Sequence, residues 1–496
     1  MYIYELQNGS DIRGVALKDN KNKKNVNLTP EIGANIAAGF AEFLKEKTGK
    51  EKLKIAIGRD SRLTGKPILE YSATYLKKIG HEAYDCGIAS TPSMFMTTQD
   101  EKMEADGGIM ITASHLPYER NGMKFFTKDG SLNKNDIRKV LELTDKNFNH
   151  NIDFLPVNIM RVNYIKRYSD MLIDIIRKAT DEDKPLAGTK IIVDAGNGAG
   201  GFFPVNVLEP LGADISGSLY LEPDGFFPNH EPNPENTEAV KDLQNKVLKE
   251  KADLGIIFDT DVDRAAVVDS DGKIINRNRL IALISKIILK EHPNTYIVTD
   301  SITSKGLKNF IEKNGGIHHR FKRGYKNVIE ESKRLNIEGK ESWLAIETSG
   351  HCAFKENYFL DDGAYLIIKI LVEFSKLKKK GKDIQDLIED YQDPLEEKEL
   401  RFKISVEDFK NYGQEVIKDL EDYVSQVEGW EIVKPNYEGI RINCENHEEK
   451  GWFLLRLSLH DPKVVINIES DVEKGAEIIE RKLLKFLHNF KGLDLW

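Results

Sequence analysis

The sequence predicts three related α/β domains followed by a smaller α+β domain, set around a central cleft. A strand–loop–helix pattern recurs along most of the 496 residues. A second set of apolar strands ends each time in a loop of hydroxyl, carboxylate or imidazole groups. The region after Pro394 abandons both patterns. A chain this long exceeds one ordinary core, so several domains are expected on size alone.

The first pattern begins with KIAIGRDSR (54–62), a short apolar run and a polar loop. PILEYSATYLKKIG follows with helical spacing and stops at Gly80, as a helix before a second strand should. KIIVDAGNGAGG (190–201) and TYIVTDSITSKGLKNF (295–310) repeat the design. The second set is ADGGIMITASH from Ala105, ADLGIIFDTDVD from Ala252 and ESWLAIETSGH from Glu341. Functional loops in open α/β sheets follow the carboxyl ends of strands, so three equivalent loops can face one cleft.

KNFNHNIDFLPVN (146–158) separates the first repeat from the second, and KLKKKGKDIQDLIEDYQDP (376–394) leads into a different C-terminal region. There GWFLLRLSL and KVVINIES are dense strand candidates on either side of His460-Asp461-Pro462. The expected domains are 1–152, 153–273, 274–378 and 392–496.

Hydrophobic content of 40% with 31% charged residues describes a globular chain, and 72 basic against 81 acidic residues give a net charge of -9. That balance disfavours general nucleic-acid binding but leaves room for a local cationic cleft. Cys86, Cys352 and Cys444 lie far apart, which excludes a disulfide framework or a cysteine zinc module. No apolar run approaches membrane-spanning length and MYIYELQNGSDIRG lacks a secretion signal, so a cytoplasmic protein is expected, without membrane or nucleic-acid partners.

Two loops carry chemistry. DTDVDR (259–264) places carboxylates at Asp259, Asp261 and Asp263, which cannot crowd together unneutralised; a divalent cation, with Mg²⁺ suited to hard oxygen ligands, is the economical partner. An EF-hand would want Gly and Glu where Arg264 and Ser270 stand. The aspartate-nucleophile phosphatases are a closer rival, and Asp361-Asp362 could imitate their second acidic pair. ITASHLPYERNGMKFF (111–126) is the other loop. His115 is next to Ser114, and on an extended chain it would point the opposite way, which argues against a hydrolase triad. A phosphate-carrying serine needs cationic charge and a base instead, and Lys124, beyond a turn-prone Asn121-Gly122, could be that base. Ser114 as a mere turn cap is the plainer alternative.

TASHLPYERNGMK resembles the phosphoserine loop of the α-D-phosphohexomutases, TASHNPxxxNGxK, and DTDVDR resembles their DxDxDR metal loop. Ser10-Asp11-Ile12-Arg13-Gly14, Thr91-Pro92, PDGFFPNHEPNP (223–234) and ETSGHCAFKENYFLDDGAY (347–365) agree and follow in family order. The resemblance implies a phosphohexomutase that moves phosphate between O6 and O1 of a hexose phosphate through phospho-Ser114 and a bisphosphorylated sugar. Phosphomannomutase/phosphoglucomutase activity is the first expectation and phosphoglucosamine mutase the second; an aspartyl-phosphate phosphatase or an idle sugar-phosphate-binding homologue are readings of another class.

By the same resemblance Asp259, Asp261, Asp263 and phospho-Ser114 would hold Mg²⁺, and a hexose bisphosphate would activate the enzyme. Lys124 would be the general acid/base, with Arg13, His115 and Arg264 around the reaction centre. Glu347 and Ser349 would take the sugar hydroxyls. Lys322 and Arg323, in FKRGYKN, keep a further substrate loop cationic, although Tyr325 stands near an expected His. RLSLHDP departs from the family's R-x-S-N/G-T-x-P phosphate loop. Arg456 and Ser458 are kept, while Leu459 and His460 replace a small polar residue and a Thr, which leaves His460 either a phosphate ligand or a turn residue.

Overall fold

The computed structural model describes residues 3–18, 25–152, 155, 157–458 and 461–495. Leu459 and His460, and part of the expected linker at 153, 154 and 156, lie outside the described residues. Two compact units emerge, one of residues 1–276 and 349–384, the other of 277–348 and 385–496.

The first unit begins with a mixed sheet. Lys54–Arg59 pairs in parallel with Glu82–Ile88 and Gly107–Ile111, and Arg120–Thr127 runs antiparallel between Gly107–Ile111 and Asp11–Val15. Gly107–Ile111 is buried at every position because helices cover both faces, which explains its unbroken apolar sequence. Helix Pro30–Thr48 starts on a Thr29 cap with Pro at its first position and ends on Gly49 in the left-handed conformation (φ 72°). It packs with Gly65–Lys78 and Lys134–Lys146 around Ile55, Ile57, Ile109 and Phe125.

The next sheet has four strands, Ile274–Ile275, Ala265–Asp269, Leu254–Phe258 and Ile191–Asp194 in spatial order, with helix Thr237–Glu250 packed on it. Here the recurring design is altered. Ile191–Asp194 is followed not by an α-helix but by a glycine-rich turn and a five-residue π-helix, Pro204–Leu208. The run Gly196 to Gly201 is too costly in backbone entropy to hold a helix.

In the second unit Ile317–Arg320, Tyr296–Thr299 and Ser342–Ile346 pair in parallel in that order. The C-terminal region is a six-stranded antiparallel sheet, ordered Trp430–Ile432, Ile440–Cys444, Gly451–Leu457, Lys463–Ser470, Glu396–Ile404 and Leu493–Asp494. Phe453 and Leu455 face its helices Phe409–Val424 and Gly475–Leu487, while Trp452 and Leu454 pack on Ile302. Both faces are therefore covered, which is why these strands read as dense rather than alternating. Three α/β domains and a C-terminal α+β domain are present. The three cysteines are buried and free, and no helix among the described residues is long and apolar enough to cross a membrane.

Candidate active site

Ser114 and the acidic loop meet in the first unit. Ser114 Oγ donates to Asp259 Oδ2 at 3.1 Å. Arg264 reaches the same carboxylate through Nε at 3.2 Å and Nη2 at 3.1 Å. Asp259, Asp261 and Asp263 are buried, and their oxygens lie within 4.8 Å of one another. The backbone is bent to achieve this. Val262 has φ 64°, a conformation that is costly for a β-branched residue, and it turns the flanking carboxylates of Asp261 and Asp263 toward one centre.

Three carboxylates there face two cations, Lys124 and Arg264. Lys124 Nζ donates to Asp261 at 2.9 Å and to Asp263 at 2.5 Å. Burial pulls the Lys124 ammonium toward neutrality, but Asp261 and Asp263 hold its pKa well above the ordinary lysine value. Its ammonium is held beside the acidic loop by these two carboxylates. Burial, with Asp263 and Asp261 beside it, pushes the Asp259 carboxyl up against the opposing pull of Arg264. Asp261 Oδ1 and Asp263 Oδ1 are buried without hydrogen-bond partners among the described residues. Orphaned hard oxygens and one surplus negative charge fit a divalent metal ion.

His115 departs from expectation. Ser114 is not extended but left-handed, with φ 51°, and this brings His115 Nδ1 to 3.4 Å from Ser114 Oγ. Arg264 Nη2 donates to the same Nδ1 at 2.8 Å, so the nitrogen is an acceptor already engaged. Burial and the Arg264 charge pull the imidazole down to about 3. His115 is neutral and is not the base of a triad.

Asn121-Gly122 is also no turn. Both residues lie within the strand Arg120–Thr127, where a side chain on Gly122 would come within 2.2 Å of Ile12 O and 2.7 Å of Thr112 O. The glycine lets Asp11–Val15 approach and lays Arg13 against the loop, donating to Thr112 O at 2.8 Å and to Asp11 at 2.9 Å. Thr91 joins the acidic loop too, through its hydroxyl to Asp261 Oδ2 and its N–H to Asp261 O at 2.8 Å.

Two further groups join the cluster from residues 349–384. His351 contacts Asp361 and stands 3.9 Å from Asp263 Oδ1. Burial disfavours its charge, yet Asp361 and Asp263 raise it to about 9, so it brings a third cation to the centre together with a fourth carboxylate, Asp361. The imidazole two residues beyond Ser349, in a loop already rich in polar groups, was the available signal for it. Asp362, by contrast, caps helix Gly363–Lys378 through Tyr365 N and accepts from the Tyr168 hydroxyl at 2.6 Å. Asp361-Asp362 is therefore not a second catalytic acid pair. Ser349 Oγ is buried without a hydrogen-bond partner among the described residues.

The second unit gathers most of the residues expected to hold substrate. Glu347 Oε1 accepts from Gly324 N at 2.7 Å, and Arg323 stands 3.6 Å from Asp300. Glu438, which the sequence did not single out, accepts from Arg323 N at 3.1 Å and from Ser301 Oγ. Arg456 is buried, its Nε has no hydrogen-bond partner among the described residues, and burial with the neighbouring Arg323 charge lowers its pKa. Lys322 is exposed, and Ser458 Oγ accepts from Asp461 N at 3.3 Å. His460 lies outside the described residues.

Models of phosphoglucomutase/phosphomannomutase alpha/beta/alpha domains I, II and III match residues 5–151, 166–272 and 276–393. A phosphomannomutase/phosphoglucomutase of Pseudomonas aeruginosa is 30% identical over 469 residues, covering 93% of this chain and 94% of that protein. The chain belongs to the phosphoglucomutase/phosphomannomutase family. It is accordingly of the α-D-phosphohexomutase type, an isomerase by class. A phosphoglucosamine mutase of Nautilia profundicola is 31% identical over 73% of this chain and 80% of its own length. A solved phosphoglucomutase/phosphomannomutase family protein from Burkholderia thailandensis shares the fold, with a TM-score of 0.77 at 24% identity over 97% of this chain and 96% of that one.

Proposed function

We propose that this phosphohexomutase moves phosphate between O6 and O1 of a hexose phosphate, with mannose and glucose phosphates as its substrates. The observation that carries the reading is Ser114 Oγ, 3.1 Å from Asp259 in a cluster where Lys124 and Arg264 meet the acidic loop. Phospho-Ser114 gives its phosphoryl group to a free hydroxyl of the bound sugar phosphate. The bisphosphorylated sugar turns over and returns its other phosphate to Ser114. Asp259, Asp261 and Asp263, with the phosphoserine, would hold Mg²⁺, which supplies charge stabilisation for the phosphoryl oxygens. Lys124 Nζ donates the proton that restores the Ser114 hydroxyl as the phosphoryl group leaves, and the accepting hydroxyl's proton replenishes it. Arg264 fixes Asp259 and His115, while Arg13 flanks the serine loop.

Glu347, Ser349, Lys322 and Arg323 receive the sugar, and Arg456 and Ser458 its non-reacting phosphate. A hexose bisphosphate primes Ser114 in enzyme that has lost its phosphate. The cytoplasm is the proposed location, and 1–152, 153–273, 274–378 and 392–496 remain the proposed domain limits. The aspartyl-phosphate alternative is disfavoured because Asp259 Oδ2 is occupied by Ser114 and Arg264. Phosphoglucosamine mutase activity is the second reading, favoured by the likeness to the Nautilia profundicola protein. Assaying mannose, glucose and glucosamine phosphates with Mg²⁺ and a trace of the matching bisphosphate tests both. Turnover of glucose and mannose phosphates is expected, and turnover of glucosamine phosphate alone would overturn the first reading.

A further inference from the structure

Arg62 is fully buried, yet its guanidinium serves no charge in the acidic loop directly. It is turned instead to the backbone of the serine loop. Nη1 donates to Pro117 O at 2.8 Å and to Arg120 O at 2.9 Å, while Nη2 donates to Ser114 O and Leu116 O. Nε faces Asp60 Oδ2 at 3.3 Å, and both side chains are wholly excluded from solvent. Four carbonyl dipoles thus converge on one cation, and a planar fork of donors is the group that can satisfy them together.

Asp60 closes the arrangement from the other side. It accepts from Arg62 N at 2.8 Å, while Thr112 Oγ1 accepts from Ser114 N at 2.9 Å. The N–H of Ser114 is therefore tied to Thr112, and its C=O is tied to Arg62. Between those ties lies the residue with φ 51°, a left-handed conformation that L side chains disfavour. An extended serine would send its side chain elsewhere; the left-handed one sends Oγ to Asp259. Above the clamp, Phe227 lies over the guanidinium at 5.2 Å, and a side chain on Gly225 would meet Leu63 N and Ser61 O at 2.6 Å. The PDGFF loop seals the pair from water, which strengthens each of its hydrogen bonds.

We infer that Arg62, backed by Asp60, and Thr112 together form a positioning device that holds Ser114 in its left-handed conformation and so aims the hydroxyl at the acidic loop. The inference rests on the phosphate-carrier reading of Ser114 for its kinetic consequence, but not for the conformation itself. Lysine at position 62 keeps the charge and loses the fork. Thr112→Val keeps the shape and loses the acceptor for the Ser114 N–H.

The test compares wild type with Arg62→Lys and Thr112→Val. Turnover of glucose 1-phosphate should fall about 100-fold in Arg62→Lys and about 10-fold in Thr112→Val, as expected for a misplaced reacting atom. KM should stay within about 3-fold of wild type, because sugar-phosphate binding is untouched. Phosphorylation of Ser114 by glucose 1,6-bisphosphate should slow in proportion. Without any substrate, amide hydrogen exchange over 114–120 should quicken in both variants while Gly107–Ile111 stays protected. Loop exchange unchanged in Thr112→Val, or a KM that rises in step with the fall in kcat, would overturn the inference. If Arg62→Lys does not fold, Thr112→Val decides alone. Wild type that never takes phosphate on Ser114 would overturn the proposed function instead, and the exchange measurement would still judge the clamp.

Discussion

The acidic centre of the first unit and the basic loops of the second have opposite unmet needs. Around Asp259, Asp261 and Asp263, three carboxylates meet Lys124 and Arg264, and two carboxylate oxygens have no hydrogen-bond partner among the described residues. Around Arg456 the situation is reversed. Arg323 presses on a buried guanidinium whose Nε is unmatched. One region is short of a cation and the other of an anion. The difference teaches how the work is divided. Groups at the centre are cross-tied by buried partners from distant parts of the chain, so their geometry is fixed in advance, whereas Arg456 keeps donors that a ligand can fill.

The largest test strikes the centre. Ser114→Ala should abolish phosphate incorporation, read by intact mass, and reduce turnover by more than about 10³-fold, as loss of a covalent carrier does. Retained activity would remove the serine from the mechanism. Next, Asp261→Asn deletes one charge from a set in which Lys124 also depends on it. Mg²⁺ affinity, read by titration against activity and by direct metal binding, should weaken about 10- to 100-fold, while hexose-phosphate binding to the second unit persists.

Arg456→Ala probes the other region. Losing charge-assisted bonds to a phosphate should raise KM about 10- to 100-fold and leave Ser114 phosphorylation by a bisphosphate intact. A matched fall in kcat would mean that the two regions are less distinct than their chemistry suggests. Glu347→Gln should have a smaller effect, about 10-fold in kcat/KM, concentrated in discrimination between glucose and mannose phosphates.

The smallest effect concerns stability beneath the basic loops. His318, in the strand that leads to Lys322 and Arg323, is held well below the usual histidine pKa by burial and by Arg320, with Thr299 Oγ1 2.8 Å from its Nε2. The unfolded chain takes up a proton below about pH 6.5 that the folded chain refuses, so stability is full above that pH and declines as pH falls. Urea midpoints at pH 7.5 and 5.5 should differ, and His318→Gln should narrow the difference.

Much of this was legible in the residues. Strand–loop–helix spacing predicted the α/β class of the repeats, because apolar period and turn chemistry are local. The i, i+2, i+4 carboxylates of DTDVDR announced a shared charge problem, since spacing along the chain is enough to crowd them. The glycine-rich stretch before the π-helix did not show its departure from the repeat, because the element beyond such a turn is selected by the surfaces it packs against.

Orientation is where the sequence stopped and the tertiary structure decided. Nothing local says that Ser114 is left-handed: its backbone is held by Arg62 and Thr112, and Arg62 lies 52 residues away along the chain. That one torsion brought His115 beside the hydroxyl, against the extended-chain expectation. Asn121-Gly122 reads as a turn until Asp11–Val15 closes against it. The charge states of Lys124 and His351 come from Asp261, Asp263 and Asp361, which only folding brings within reach. Residue types and their spacing determine which charges this chain must accommodate; contacts between distant segments determine which way each one points and whether it keeps its proton.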